Sequence, residues 1–253
     1  MTIQIDELRG FISDMYSDVA RFPRAQFHFA TGRSLMEGLG YAPEQLDQVP
    51  QTALESCAGV GHHFALTRLP QGARVLDVGS GAGSDVFVAA LQVGAEGEAV
   101  GVDMTGAMLD KARKNAESFA LDNVSFVEGY AEALPFEDGR FDWVISNGVI
   151  NLSPNKPKAF SEIHRVLTPG GRLLFSDLVT GVELPESVRD NCELWAECIG
   201  GAEQEQAYIG LIQQAGFDVQ RVVHNDYAFI QESTINAAKK FQVRSVSVLA
   251  VRT

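Results

Sequence analysis

The stretch RVLDVGSGAGSDVFVAALQV, residues 74–93, decides the fold. RVLDV (74–78) is a short apolar run of strand character, and SDVFVAALQV (84–93) has helical spacing and stops before Gly94. Between them Gly79, Gly81 and Gly83 alternate with small residues. A strand that turns this sharply into a helix brings backbone N–H groups and a helix N-terminus close to a ligand, where side chains would obstruct.

The same unit repeats on the C-terminal side. EAVGVDM (98–104) is β-branched, and TGAMLDKARKNAESFAL (105–121) reads as a helix opened by a Thr that can cap it. VSFVEG (124–129) and DWVISN (142–147) follow as strands, then a helix over KAFSEIHRVL (158–167), the turn TPGG and the strand RLLFSDLV (172–179). Five apolar runs joined by helical or looped crossovers imply parallel pairing with right-handed connections. The spacing predicts an α/β fold, a doubly wound and mostly parallel sheet of Rossmann-like type.

The flanks read differently. Residues 1–70 are expected to form an N-terminal helical cap of short helices, broken by RFPRAQFHFATGR and by Pro43 and Pro50. Residues 71–180 are the expected ligand-binding core. Residues 181–253 carry accessory helices around Gly200-Gly201 and two further strand-like runs, FDVQRVVHNDY and VRSVSVLAVRT, that would complete a seven-stranded sheet as an antiparallel edge.

Charge narrows the partners. Twenty Lys+Arg against 33 Asp+Glu leave a net charge of −13, which repels nucleic acid and anionic membrane surfaces. The N-terminus MTIQIDELRG has no basic stretch followed by an apolar one, and no uncharged apolar run approaches the ~18 residues of a membrane span. Three cysteines, Cys57, Cys192 and Cys198, are too few and too far apart for a disulfide framework. A cytoplasmic chain with free thiols, a small-molecule partner and no metal site is expected; the oligomeric state is not legible.

By itself the glycine turn suits NAD, FAD or S-adenosylmethionine equally. The acids separate them. Asp77 ends the first strand, where its carboxylate would face a dinucleotide pyrophosphate at a high electrostatic cost. A ligand with an ammonium and a sulfonium is instead welcome there. Asp103 ends the second strand, 24 residues after Gly79, where a carboxylate can accept both ribose hydroxyls, and Met104 can lie against an adenine. As isolated residues, Asp77 reads equally well as a turn residue and Asp103 as a helix cap. Together at neighbouring strand ends they favour the ligand.

From about residue 70 to 180 the chain resembles class I S-adenosylmethionine-dependent methyltransferases. EGYAEALPF (128–136) resembles the loop in which they hold the adenine, and the resemblance implies that role for Ala131 and Glu132; ISNGVINL places Ser146 and Asn147 where the methionine part lies. GVDMTGAMLDKA, VISNGVINLSPNK, RVLTPGGRLLFSD and LWAECIGGA resemble the arsenite methyltransferase family in particular, as far as residue 202. In that family cysteine thiolates hold trivalent arsenic, as soft sulfur suits a soft metalloid. Cys198 matches the third thiol. Gly148 and Val60 stand where the other two are expected, with Cys57 three positions before Val60. Cys192 cannot simply substitute, because six residues of unbroken helix turn it away from Cys198.

The expected activity is methyl transfer to a small soft nucleophile, trivalent arsenic or a sulfide, thiol or selenol. Cys198 and Cys57 are the candidate acceptor contacts, with His62 and His63 of AGVGHHF as candidate proton-handling groups. The alternatives are a small-molecule C- or O-methyltransferase, a non-catalytic cofactor-binding module and an NAD-dependent oxidoreductase.

Overall fold

The computed structural model describes residues 4–119, 121–189, 191, 194–195 and 199–253. Seven strands form one sheet: β1 (Arg74–Val78), β2 (Glu98–Asp103), β3 (Val124–Glu128), β4 (Phe141–Asn147), β5 (Leu167–Val179), β6 (Phe217–Asn225) and β7 (Arg244–Arg252). Their order is β3-β2-β1-β4-β5-β7-β6. All pairings from β3 to β5 are parallel; β7 runs antiparallel to both β5 and β6. The two C-terminal runs therefore supply one inserted antiparallel strand, β7, and one edge strand, β6.

The helices in chain order are α1 (Ile5–Arg21), α2 (Arg33–Gly38), α3 (Pro43–Leu46), α4 (Gln51–Leu54), α5 (Ser84–Val93), α6 (Gly106–Phe119), α7 (Lys156–Val166), α8 (Glu186–Arg189), α9 (Glu205–Gln214) and α10 (Glu232–Phe241). The expected cap of short broken helices is in fact led by α1, 17 residues long. Nor do the prolines only interrupt: Pro43 opens α3 and Pro50 caps α4, positions where a missing N–H costs nothing. None of the described helices is long and apolar enough to cross a membrane.

Alternate residues of each central strand face opposite ways. Val75, Ile145 and Leu174 join a core beneath Phe87 and Leu109 of α5 and α6, while Leu76, Val144 and Leu173 join a second core with Phe160 and Ile163 of α7 and Tyr208 of α9. Both faces being covered explains why the inner strands read as near-continuous apolar runs. The strand order reverses between β1 and β4, and Ser146 Oγ of β4 donates to the Val78 carbonyl of β1 at 2.7 Å across that point. Outside the carboxyl ends of strands at such a reversal, open sheets leave a crevice.

Candidate active site

A cleft opens at this reversal, walled by the glycine turn, the ends of β1, β2 and β4, the 129–132 and 147–154 loops, the 56–59 loop and one face of α1. Asp77, Gly79, Gly81, Asp103, Met104, Ala131, Glu132, Asn147 and Cys57 all line it. Gly83 stands just behind as the left-handed cap of α5, φ +92°, and a Cβ on it would lie 2.6 Å from the Phe126 ring. Gly79 is also left-handed, φ +77°, and a Cβ there would collide with the Val149 methyls. Backbone conformation and close packing thus both require glycine at these two positions.

The carboxylates differ in their partners. Asp103 accepts from the Gly81 N–H and the Thr105 N–H, each at 2.8 Å, so the carboxylate is held facing the turn with lone pairs left over. Burial raises it above the usual range, against those hydrogen bonds. Asp85, in the first turn of α5, accepts from Tyr41 Oη at 2.7 Å and Asn147 Nδ2 at 3.0 Å, and burial raises it too. Asp77 is only 4% exposed, and among the described residues no donor reaches its carboxylate. Burial, then Asp85, then Asp103 hold it well above the usual carboxylate range.

Asn147 lines the cleft, but its amide is committed within the chain. Oδ1 accepts from the Val60 and Gly61 N–H groups at 2.8 and 3.3 Å, and Nδ2 donates to the Gly61 carbonyl at 2.9 Å as well as to Asp85. Glu132 accepts from Ser153 Oγ at 2.6 Å and faces the Arg9 guanidinium at 3.4 Å, while Arg9 also covers the Tyr130 ring at 4.3 Å. The 131–136 segment is held from below by α7: Glu162 accepts from the Leu134 N–H, and Arg165 donates to the Leu134 and Phe136 carbonyls. The Arg165 hydrogen bond in turn holds the Glu162 carboxyl down at about 2.

The two histidines are not brought to the cleft wall. His63 is fully buried against the Phe64 ring, and neither ring nitrogen has a hydrogen-bond partner among the described residues. Burial pushes it down to about 3, so it stays neutral and has no path to an acceptor. His62 packs on the Tyr41 ring at 4.0 Å, behind Asp85, and burial lowers it as well. Cys57 is buried, and burial together with Asp85 pushes its thiol up to about 12, so it faces the cleft as a neutral group. Cys192 and Cys198 lie outside the described residues. Val60 and Gly148 face each other: a Cβ on Gly148 would lie 3.3 Å from Val60 Cγ1. Among the described residues no cluster of His, Cys, Asp and Glu could hold a metal ion.

Several residues of the site carry little sequence signal. Arg9, Ile12 and Tyr16 reach the cleft from α1, and Tyr16 stacks on Phe29, which stacks on Phe27. Lys111 of α6 donates to Glu55, Ser56 Oγ and the Ala20 carbonyl, tying α1 to the loop that carries Cys57. Asp85, next to the last glycine, is different: the sequence itself sets it as a fourth acid around the turn, with Asp77, Asp103 and Glu132.

A family model described as a methyltransferase domain matches residues 69–216, from just before β1 to just beyond α9. The chain belongs to the methyltransferase-domain family. It is 37% identical to the arsenite methyltransferase of Halobacterium salinarum over 196 residues, 78% of this chain and 50% of that protein. To the arsenite methyltransferase of Aquipseudomonas alcaligenes it is 41% identical over 174 residues, 66% of this chain and 50% of that protein. The crystal structure of an arsenic(III) S-adenosylmethionine methyltransferase from Chlamydomonas reinhardtii superposes with a TM-score of 0.64 at 33% identity, covering 88% of this chain and 74% of that one. The chain spans about half the length of the curated relatives it matches.

Proposed function

We propose that the chain is a cytoplasmic S-adenosylmethionine-dependent methyltransferase acting on a small soft nucleophile, trivalent arsenic or a sulfide, thiol or selenol. One observation carries the cofactor reading: a buried carboxylate, Asp77, for which the described residues supply no donor, opens on the cleft beside the glycine turn. That group suits an ammonium and opposes a pyrophosphate. Asp103 supports the same reading, because its two amide contacts leave acceptor capacity for ribose hydroxyls.

Asp77, Gly79, Gly81, Gly83, Asp103, Met104, Ala131, Glu132 and Asn147 would form the cofactor site. When bound, S-adenosylmethionine supplies a methyl group already activated by its positive sulfur. The chain then has to align the acceptor and exclude water. Ile12, Tyr16, Val149 and Leu152 offer an apolar wall for that purpose. A soft nucleophile needs little help in losing a proton near neutral pH, which agrees with the lack of histidine among the described cleft-lining residues. Cys198, with Cys57, is our candidate contact for the acceptor.

Arsenic is favoured by the relatives' names. The sulfur and selenium acceptors are favoured by the facing Val60 and Gly148, which leave no thiol pair at that point. A small-molecule C- or O-methyltransferase is the remaining alternative. The large negative net charge disfavours nucleic acid as acceptor.

Calorimetric titration with S-adenosylmethionine and with NAD tests the cofactor; heat with NAD alone overturns the reading. Asp103→Ala is expected to lower S-adenosylmethionine affinity about a hundredfold, as two charge-assisted hydrogen bonds are lost. Unchanged affinity contradicts the ribose assignment. A panel of arsenite, sulfide, selenide, methanethiol, phenols and amines, read out as S-adenosylhomocysteine formed, tests the acceptor. Cys198→Ser is expected to abolish arsenite turnover, and arsenite turnover that survives it refutes thiolate capture.

A further inference from the structure

The same cleft is lined by two buried carboxylates, each 4% exposed: Asp77 at the end of β1 and Asp85 in the first turn of α5. Asp85 has two donors, Tyr41 Oη and Asn147 Nδ2; Asp77 has none among the described residues. Among the described residues, the other titratable groups facing them bring no fixed positive charge. Asp103 adds to the electrostatic load on Asp77, and the Tyr41 hydroxyl and Cys57 thiol are raised by burial and by the field of both acids. His62, stacked on Tyr41, is lowered by burial. Arg9, the basic side chain among the described cleft-lining residues, is engaged at the far end with Glu132 and Tyr130.

We propose that Asp85 is a charge-selective binding residue. Together with Asp77 it keeps one proton in the empty cleft and gives it up to a ligand with two positive centres, so that the site favours the sulfonium donor over the thioether product. The proposal rests on the cofactor reading above and adds a residue and a selectivity to it. Two buried carboxylates lining one cleft cannot both ionise cheaply without a cation between or beside them. An ammonium at Asp77 neutralises one. A second positive centre is needed before the other charge is also balanced, and a demethylated product brings only the first. The Tyr41 and Asn147 donors hold Asp85 in place and favour its charged form, and this makes it the member of the pair that responds to the second charge.

Titration calorimetry of the full chain with S-adenosylmethionine and with S-adenosylhomocysteine, in two effective buffers of different ionisation enthalpy at each of pH 6.0, 7.0 and 8.0, counts the protons exchanged by each ligand. The donor is expected to bind about tenfold more tightly than the thioether at pH 7, the ratio of one pKa unit of differential interaction, and to release more protons. In Asp85→Asn the ratio is expected to fall to about one with donor affinity reduced. Equal proton counts for the two ligands in the unmodified chain overturn the proposal without recourse to any variant. So does a donor preference that Asp85→Asn leaves intact. Binding of neither ligand overturns the cofactor reading itself; binding of both with equal affinity and equal proton release overturns this inference alone.

Discussion

Asp77→Asn raises the melting temperature of the ligand-free protein at pH 8 and removes the further rise that S-adenosylmethionine gives the parent chain. The first effect follows from the burial of an unpaired acid. In the folded chain the Asp77 carboxyl sits well above the usual carboxylate range, through burial and then through Asp85 and Asp103, whereas in the unfolded chain it is ordinary. As pH rises from the ordinary value towards the folded one, the unfolded state has already lost its proton and the folded state still holds it. Stability therefore falls with pH across that window and stays reduced above it. An amide of the same shape carries no charge to desolvate. The variant is expected to gain about 1–2 kcal/mol at pH 8 and roughly 5 °C in Tm, with the gain vanishing near pH 4.

The second effect is opposite in sign. Ligand at a hundred times its Kd stabilises the parent by about 2.7 kcal/mol, and the variant, lacking the counter-charge, gains little. Scanning calorimetry with and without S-adenosylmethionine at the two pH values checks both. A variant less stable than the parent at pH 8 in the absence of ligand, or equally stabilised by it, rejects the role assigned to Asp77. Placing function on a group that destabilises the empty fold is the usual trade at binding sites.

Asn147→Ala is the most damaging of the side-chain truncations at the cleft. The amide satisfies the Val60 and Gly61 N–H groups, the Gly61 carbonyl and the Asp85 carboxylate within a packed interior, and a Cβ at Gly59 would lie 2.6 Å from its Nδ2. Removing it leaves buried donors and an acceptor without partners, at about 1–3 kcal/mol for each that water cannot reach. A loss of about 3–4 kcal/mol, or roughly 10 °C in Tm, is expected in thermal or urea unfolding. Hydrogen exchange should rise first at residues 57–61, where the amide holds the loop. A Tm shift below about 2 °C would show that water replaces the lost bonds.

The strands and the glycine turn were legible because their signals are local. Strand β1, helix α5 and the glycines between them coincide with the periodicity of residues 74–93, and φ values above +50° at Gly79, Gly81 and Gly83 are what a sharp strand-to-helix turn requires. Asp77 and Asp103 were legible for the same reason: a carboxylate at a strand end beside such a turn faces the crevice whatever the rest of the chain does. The histidines were not. His62 and His63 sit in a loop whose sequence reads as exposed, yet His63 is fully buried, since burial is set by which distant elements close over a segment.

The sequence alone determined the doubly wound sheet, the cleft at its reversal and the two strand-end acids that line it, Asp77 and Asp103, since periodicity, glycine placement and strand-end position act over a few residues. Tertiary structure decided the rest. Arg9 meets Glu132 across 123 residues, Tyr41 meets Asp85 across 44, and Asn147 spends its amide on a loop 86 and 87 residues away. It also brings Asp85 and Asp77 into one cleft and Val60 against Gly148. Desolvation and hydrogen-bond satisfaction depend on every neighbour in space, and most of those neighbours are remote in the chain.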